Sequence, residues 1–383
     1  LRIAFLYIAE AYQCYHAAAI ALELARRPGV EVINLFNDNE TPRHLERIRQ
    51  AHGADALPEA PLRKSWLTRS LQKLKRLGMW KRLVMFENRK KLNQFDAILA
   101  VEDSVAALRL FGVDNPVMAY VPHGSGDRSC GFVKRVAAFD LVMPAGEKTA
   151  RRMLDEGLIT PEGCALPGYV KLETASQIAR TTARPFANGR PIVLYNPHKA
   201  PDLESWTRFI EPMLTAFAAQ DEFNLIVAPH VKYFYRRTAA VRAAWEARST
   251  PTIRIDLGSD RSVDTSYSEI ADIYVGDVSS QIYEFLVRPR PCIFLNAHDM
   301  DWRDDPSFRH WHLGDVISDP AALMQTVRAA NSRHSLYVDH QETLAQDTLG
   351  DRSPGAARRA ADAMMHMLAD RAASDPAKSK AAA

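Results

Sequence analysis

GDVSSQIYEFLVRPRPCIFLN, residues 276–296, is the stretch whose reading decides the fold. The apolar residues 270–275 before it read as a buried strand that stops at Gly276 and Asp277. Ser279 and Ser280 then stand where a helix over 281–287 would begin, and Arg288-Pro289-Arg290-Pro291 ends that helix because a proline ring blocks its continuation. Residues 292–295 supply the next short apolar run, so the stretch predicts strand, polar turn, short helix and strand. Such a turn gathers free backbone N–H groups, the positive end of a helix dipole and two hydroxyls, which together suit a phosphate. In an open α/β sheet, ligands bind outside the carboxyl ends of the strands, where this turn would lie. The plainer alternative is that the serines only cap the helix.

The same alternation extends in both directions. Before it, strands are expected at 2–8, 30–36, 97–101, 117–121 and 141–143, with helices at 11–26, 42–51 and 104–111. After a Gly-, Pro-, Thr- and Arg-rich stretch at 167–191 that reads as a linker, the pattern resumes. Strands are expected at 192–195, 224–228, 253–256, 273–275 and 292–295, with helices at 203–219 and 234–247. Strands separated by helices imply parallel sheets covered on both faces. The expected fold is therefore α/β, two Rossmann-like doubly wound domains facing a cleft, of the GT-B type. The expected boundaries are 1–170 for an acceptor domain, 185–345 for a nucleotide-donor domain, 354–371 for a C-terminal helix and 372–383 for a disordered tail.

Composition narrows the function. The 383 residues are 47% hydrophobic, enough for two separate cores. A net charge of +3 does not call for nucleic acid, and none is expected as a partner. No apolar run reaches the roughly 18 residues of a membrane span, and residues 1–8 lack the features of a leader, so a cytoplasmic protein is expected. Cys14, Cys130, Cys164 and Cys292 are scattered without a Cys-x-x-Cys pair and read as buried small side chains.

One segment is conspicuously basic. Within an insertion at 62–93, residues 63–91 carry Lys64, Arg69, Lys73, Lys75, Arg76, Lys81, Arg82, Arg89 and Lys90, relieved only by Glu87 and interleaved with Trp66, Leu67, Trp80 and Phe86. It predicts amphipathic helices broken near Gly78 that would suit the anionic inner face of a membrane, with a solvated helix face as the alternative.

Three histidines stand at predicted strand ends. His123, in Pro122-His123-Gly124-Ser125-Gly126-Asp127, is placed to take a proton from an acceptor hydroxyl, with Asp127 orienting it. His230 with Lys232, and His198 with Lys199, would neutralise a departing diphosphate. Asp277, Ser279 and Ser280 would complete the donor site, and Glu284, one turn into the helix, would accept hydrogen bonds from ribose or glycerol hydroxyls. No Asp-x-Asp pair stands where a divalent cation would be needed, and neither a dinucleotide fingerprint nor a Walker loop is present. No metal or other cofactor is expected, zinc bound by the three histidines being a minor alternative. The cluster from His298 to His312 would form a donor-covering loop or an ion-paired surface loop.

In order, Pro122-His123-Gly124, Gly168-Tyr169-Val170-Lys171, Tyr195-Asn196-Pro197-His198, Pro229-His230, and Asp277-Val278-Ser279-Ser280 followed by Glu284 and Arg290-Pro291-Cys292-Ile293-Phe294 resemble the motif series of the CDP-glycerol glycerophosphotransferases of teichoic acid and capsule synthesis. The resemblance spans about 117–316. Pro122 stands in place of a tryptophan, Val231 of a proline and Val278 of a tyrosine, and Ser125-Gly126-Asp127-Arg128 replaces a lysine-bearing stretch. The resemblance implies a GT-B fold, attack on the β-phosphate of CDP-glycerol by a glycan or glycolipid hydroxyl, and release of CMP. It implies His123 as base, with His230, Ser279 and Ser280 on the donor phosphates. A nucleotide-sugar transferase, a non-catalytic nucleotide- or glycan-binding protein and, more weakly, a sugar-nucleotide epimerase are the alternatives on the same scaffold.

Overall fold

A computed structural model describes residues 1–74, 79–123 and 132–374. Among these, one compact unit takes 1–123, 132–174 and 347–374, and a second takes 175–346. The first contains strands β1 (Arg2–Tyr7), β2 (Glu31–Phe36), β3 (Glu59–Pro61), β4 (Ala97–Ala100), β5 (Val117–Tyr120) and β6 (Leu141–Val142). The second contains β7 (Ile192–Asn196), β8 (Asn224–Val227), β9 (Ile253–Ile255), β10 (Ile273–Gly276), β11 (Cys292–Leu295) and β12 (Asp315–Ile317). Each set forms a six-stranded sheet, ordered β3-β2-β1-β4-β5-β6 in one unit and β9-β8-β7-β10-β11-β12 in the other. Every pairing between these strands is parallel.

The two sheets thus share one topology, the doubly wound Rossmann order, whose switch points lie between β1 and β4 and between β7 and β10. The central strands are buried along their whole length because helices cover both faces, which explains why they read as unbroken apolar runs instead of alternating ones. Each unit has its own core, around Leu6, Ile98, Val105 and Met118 in the first and Val193, Phe209, Val227 and Val275 in the second.

Two departures from the expected pattern appear. The edge strands β3 and β12 are only three residues long and carry no readable alternation; neighbours with unpaired backbone edges recruit them. Pro61 is tolerated because β3 is an edge. Inside the expected linker lies a helix, Val170–Thr181, with Val170, Thr174 and Ile178 buried at a spacing of four. The division between the units falls within it.

The C-terminal helix runs Ala356–Ser374 and belongs to the first unit, burying Ala356, Ala357, Ala360, Ala361, Met364 and Leu368. Asp362 on this helix pairs with Arg27. The returning chain crosses close to Gly168, where φ is +89° and a Cβ would collide with the Asp351 carbonyl oxygen. Gly168 therefore has a backbone reason to be glycine. Residues 375–383, most of the expected tail, lie outside the described residues. No helix among the described residues is long and apolar enough to cross a membrane.

Candidate functional site

Two polar centres lie at strand carboxyl ends, one in each unit. In the first, His123 follows β5, and its Nδ1 lies 2.7 Å from the Val101 carbonyl oxygen just beyond β4. A carbonyl only accepts, so Nδ1 carries a proton, and in the neutral ring the lone pair then lies on Nε2, the form of imidazole that can take a proton from a hydroxyl. The expected orienting residue, Asp127, and the glycines Gly124 and Gly126 lie outside the described residues. Among the described residues, the Val101 backbone carbonyl orients the ring.

Beside His123 stands a residue that motif reasoning missed. His16 closes the short helix Ala11–His16 after β1. Its ring lies 6.3 Å from that of His123 and 5.6 Å from that of Tyr169, centre to centre. Burial, reinforced by the charge of Lys171, holds the His16 pKa well below the usual value, so the ring is neutral. His16 is embedded in the run AYQCYHAAAI, which reads as an ordinary buried helix. Its place after the first strand of a doubly wound sheet was the available signal. Glu102, following β4, accepts from Lys81 Nζ at 2.8 Å. Burial would raise the Glu102 pKa, but the Lys81 ammonium, with the Gln13 amide, outweighs it and keeps the carboxylate ionised.

In the second unit, His198 follows β7 and His230 follows β8, with ring centres 5.9 Å apart. The backbone N–H of Ala200 donates to His198 Nδ1, and that of Lys232 to His230 Nδ1, each at 3.1 Å. A backbone N–H only donates, so in both neutral rings the proton sits on Nε2. This is the opposite tautomer to His123. Burial, reinforced by the nearby ammonium groups of Lys199 and Lys232, lowers the His230 pKa to about 4, so it is a neutral donor at physiological pH.

Asp277, expected to contact a donor, turns inward. Its Oδ1 accepts from the backbone N–H groups of His198 and Val278, and its Oδ2 from the backbone N–H and hydroxyl of Ser205, all at 2.7–2.8 Å. Burial pushes its pKa up to about 6 against the lowering effect of these donors. It ties the loop after β7 to the loop after β10, so its contribution is to place His198. From the same turn, the Asp277 carbonyl accepts from His310 Nε2 at 3.0 Å and Trp311 Nε1 at 2.9 Å. His298 and His312 likewise lie against backbone carbonyls, of Glu204 and Arg303. The cluster from 298 to 312 is thus pinned to the backbone. Among the described residues no group of three or more His, Cys, Asp or Glu side chains could hold a metal ion.

Ser279 is buried, with its Oγ 3.4 Å from the Gln281 N–H, whereas Ser280 is exposed at the helix N-terminus without a side-chain capping bond. Capping therefore does not account for Ser280. The helix itself is shorter than expected, Gln281–Phe285: Pro289, four residues on, has no N–H for the Phe285 carbonyl, which accepts from Arg290 at 2.6 Å while Arg290 also reaches the Ala271 carbonyl and stacks on the Phe285 ring. So short a helix contributes little dipole, and an anion here would rely on N–H groups, the Ser280 hydroxyl and the neighbouring imidazoles. Glu284 is 8% exposed and accepts from Thr265 Oγ1 at 3.0 Å.

The basic segment forms helices Trp66–Leu74 and Met79–Leu92; Lys75, Arg76 and Gly78 lie outside the described residues. Glu87, its one acid, is turned inward onto Ser65 and Thr68, and Asn88 clamps the Arg63 backbone. Arg63, Arg69, Arg82, Lys90 and Lys91 are exposed, as are Trp66 (78%), Leu67 and Phe86.

No family model matches the chain, and no curated protein matches its sequence. Solved structures do match. S. aureus MnaA in complex with UDP shares 12% identity over 96% of both chains, with a TM-score of 0.64. The wall teichoic acid polymerase TagF shares 12% over 97% of this chain and 89% of its own, also at 0.64. UDP-GlcNAc 2-epimerase from Neisseria meningitidis, bound to UDP-GlcNAc, shares 10% over 96% of this chain and 100% of its own, at 0.62. The fold is GT-B.

Proposed function

We propose that this protein transfers glycerol phosphate, or a related polyol phosphate, from a CDP-linked donor to a hydroxyl of a glycan or glycolipid. The observation that carries this reading is the pair of opposite tautomers: one imidazole in the first unit with a lone pair on Nε2, and two in the second with N–H there. The first suits proton removal from an acceptor, and the second suits hydrogen bonding to an anionic donor. In the reaction, the acceptor oxygen attacks the β-phosphorus while His123 Nε2 takes its proton. The bond from that phosphorus to the oxygen of the CMP portion breaks, and CMP leaves with the electron pair. His198, His230, Lys199, Lys232 and the Ser280 hydroxyl hold the charge that develops on the phosphates. Glu284 accepts from hydroxyls of the donor. TagF supports the reading, having been solved with CDPG as well as alone.

The exposed basic and aromatic residues of the helices at 66–74 and 79–92 would hold the enzyme against an anionic membrane surface carrying the acceptor. Sugar transfer or epimerisation from a UDP-linked donor is the second reading, favoured by the equal likeness to UDP-bound structures. Calorimetric affinities for CDP-glycerol, CDP, UDP and UDP-GlcNAc separate the two. The proposal expects CDP-glycerol to bind tightest and His123→Ala to cut CMP release at least ~100-fold with donor affinity unchanged. Tightest binding of UDP-GlcNAc, or near-normal turnover in the folded variant, would overturn it.

A further inference from the structure

Thr265 stands out in the backbone of the second unit. It is 5% exposed and lies at φ +71° and ψ 2°, in the left-handed region. That region costs little for glycine and is unusual for a β-branched side chain. The surrounding bonds hold it there. The Ser266 N–H donates to Asp264 Oδ1 at 2.9 Å, the Asp264 N–H to the Asp260 carbonyl at 2.9 Å, and the Glu269 N–H to the Thr265 carbonyl at 3.0 Å. A turn needing only this backbone shape would be served better by glycine or asparagine. What threonine adds is its hydroxyl, which donates to Glu284 Oε2 at 3.0 Å. Backbone strain of this kind persists where the surroundings over-determine it, and it gathers at ligand sites.

We infer that Thr265 is a positioning residue that fixes the plane of the Glu284 carboxylate so that it accepts hydrogen bonds from the two adjacent hydroxyls of a vicinal diol on the donor. The inference rests on the nucleotide-donor reading above. An ionised carboxylate has about four acceptor positions, and two neighbouring hydroxyls use it well only when its plane is fixed. Glu284 lies in the helix that begins one residue after Ser280. It is therefore within one helical turn of the proposed phosphate contacts. A CDP-polyol donor has a vicinal diol on either side of its diphosphate, in the ribose and in the glycerol. Both present the same chemistry to Glu284.

The test measures affinities by calorimetry for wild type, Thr265→Val, Thr265→Ser and Thr265→Gly. The probes are CDP and UDP, their 2′,3′-dideoxy counterparts, CDP-glycerol, and CDP-ethanol, which lacks the second diol. The valine variant should lose about 5- to 10-fold in affinity for the ligand carrying the recognised diol and nothing for its counterpart without it, the size of one hydrogen bond. Serine should restore the wild-type value. Glycine should show the same selective loss as valine while melting no lower than wild type, because it relieves the left-handed backbone. Selective loss between ribo- and dideoxynucleotides assigns the diol to ribose, and selective loss between CDP-glycerol and CDP-ethanol assigns it to glycerol. Equal loss for all ligands, or no loss for any, would overturn the inference while leaving the nucleotide-donor reading intact. A wild-type protein that binds none of these nucleotides would overturn both.

Discussion

His230 offers a direct physical test of the second centre. Its pKa falls from an ordinary 6.5 to about 4 because burial and the surrounding cations disfavour the charged ring. The unfolded chain therefore binds a proton between pH 6.5 and about 4 that the folded chain refuses. The stability tied to this histidine is complete above pH 6.5 and declines as the pH falls toward 4. With these two pKa values, lowering the pH from 7.5 to 5 should remove about 2 kcal/mol of stability through this group alone. The perturbation is His230→Gln, which keeps a side chain able to donate but cannot titrate. Urea unfolding of wild type and variant at both pH values isolates the effect, since the contribution of buried His16, whose pKa is also lowered, is common to both proteins. The variant should lose about 2 kcal/mol less than wild type on acidification. Imidazole nitrogen chemical shifts should also show His230 neutral at pH 5, with its proton on Nε2. Equal losses in the two proteins, or a ring that titrates near 6.5, would refute the argument and with it the picture of a neutral N–H donor facing a diphosphate.

Two further outcomes follow from the geometry. Replacing Arg63, Arg69, Lys90 and Lys91 with glutamate should weaken binding to phosphatidylserine-containing vesicles, each removed cation contributing about 1 kcal/mol, while Lys81→Ala should change vesicle binding little because that ammonium is committed to Glu102. Sedimentation showing unchanged binding of the fourfold variant would remove the membrane from the proposal. Gly168→Ala should cost at least about 2 kcal/mol of stability in chemical denaturation, since the new Cβ meets both an unfavourable φ of +89° and the Asp351 carbonyl. A neutral result would mean that the C-terminal segment can move aside.

The placement of the polar residues shows how far local sequence reaches. His123, His198, His230, Ser279 and Ser280 were legible because apolar runs mark strands, and a polar residue directly after such a run must lie at a sheet edge. Their chemical state was not legible. Whether Nδ1 or Nε2 carries the proton depends on partners: Val101, 22 residues from His123, lies at the end of a neighbouring strand, whereas Ala200 and Lys232 are only two residues from their histidines. Asp277 looked like a ligand contact because it sits among such residues, yet its four bonds go to backbone and side chain up to 79 residues away. Arg290 looked only like part of a helix stop, yet it donates to the Phe285 and Ala271 carbonyls that the strand and helix ends leave open.

By itself, the sequence determined two series of buried parallel strands and the histidines and serines at their ends, because hydrophobic periodicity and proline or glycine breaks act over a few neighbouring residues. Tertiary structure alone decided the recruitment of the edge strands β3 and β12, the return of helix Ala356–Ser374 to the first unit, the burial of His16 beside His123, and the left-handed Thr265 under Glu284. Each of these depends on a partner supplied by a distant part of the chain, and the free energy that fixes it exists only once that partner is in place.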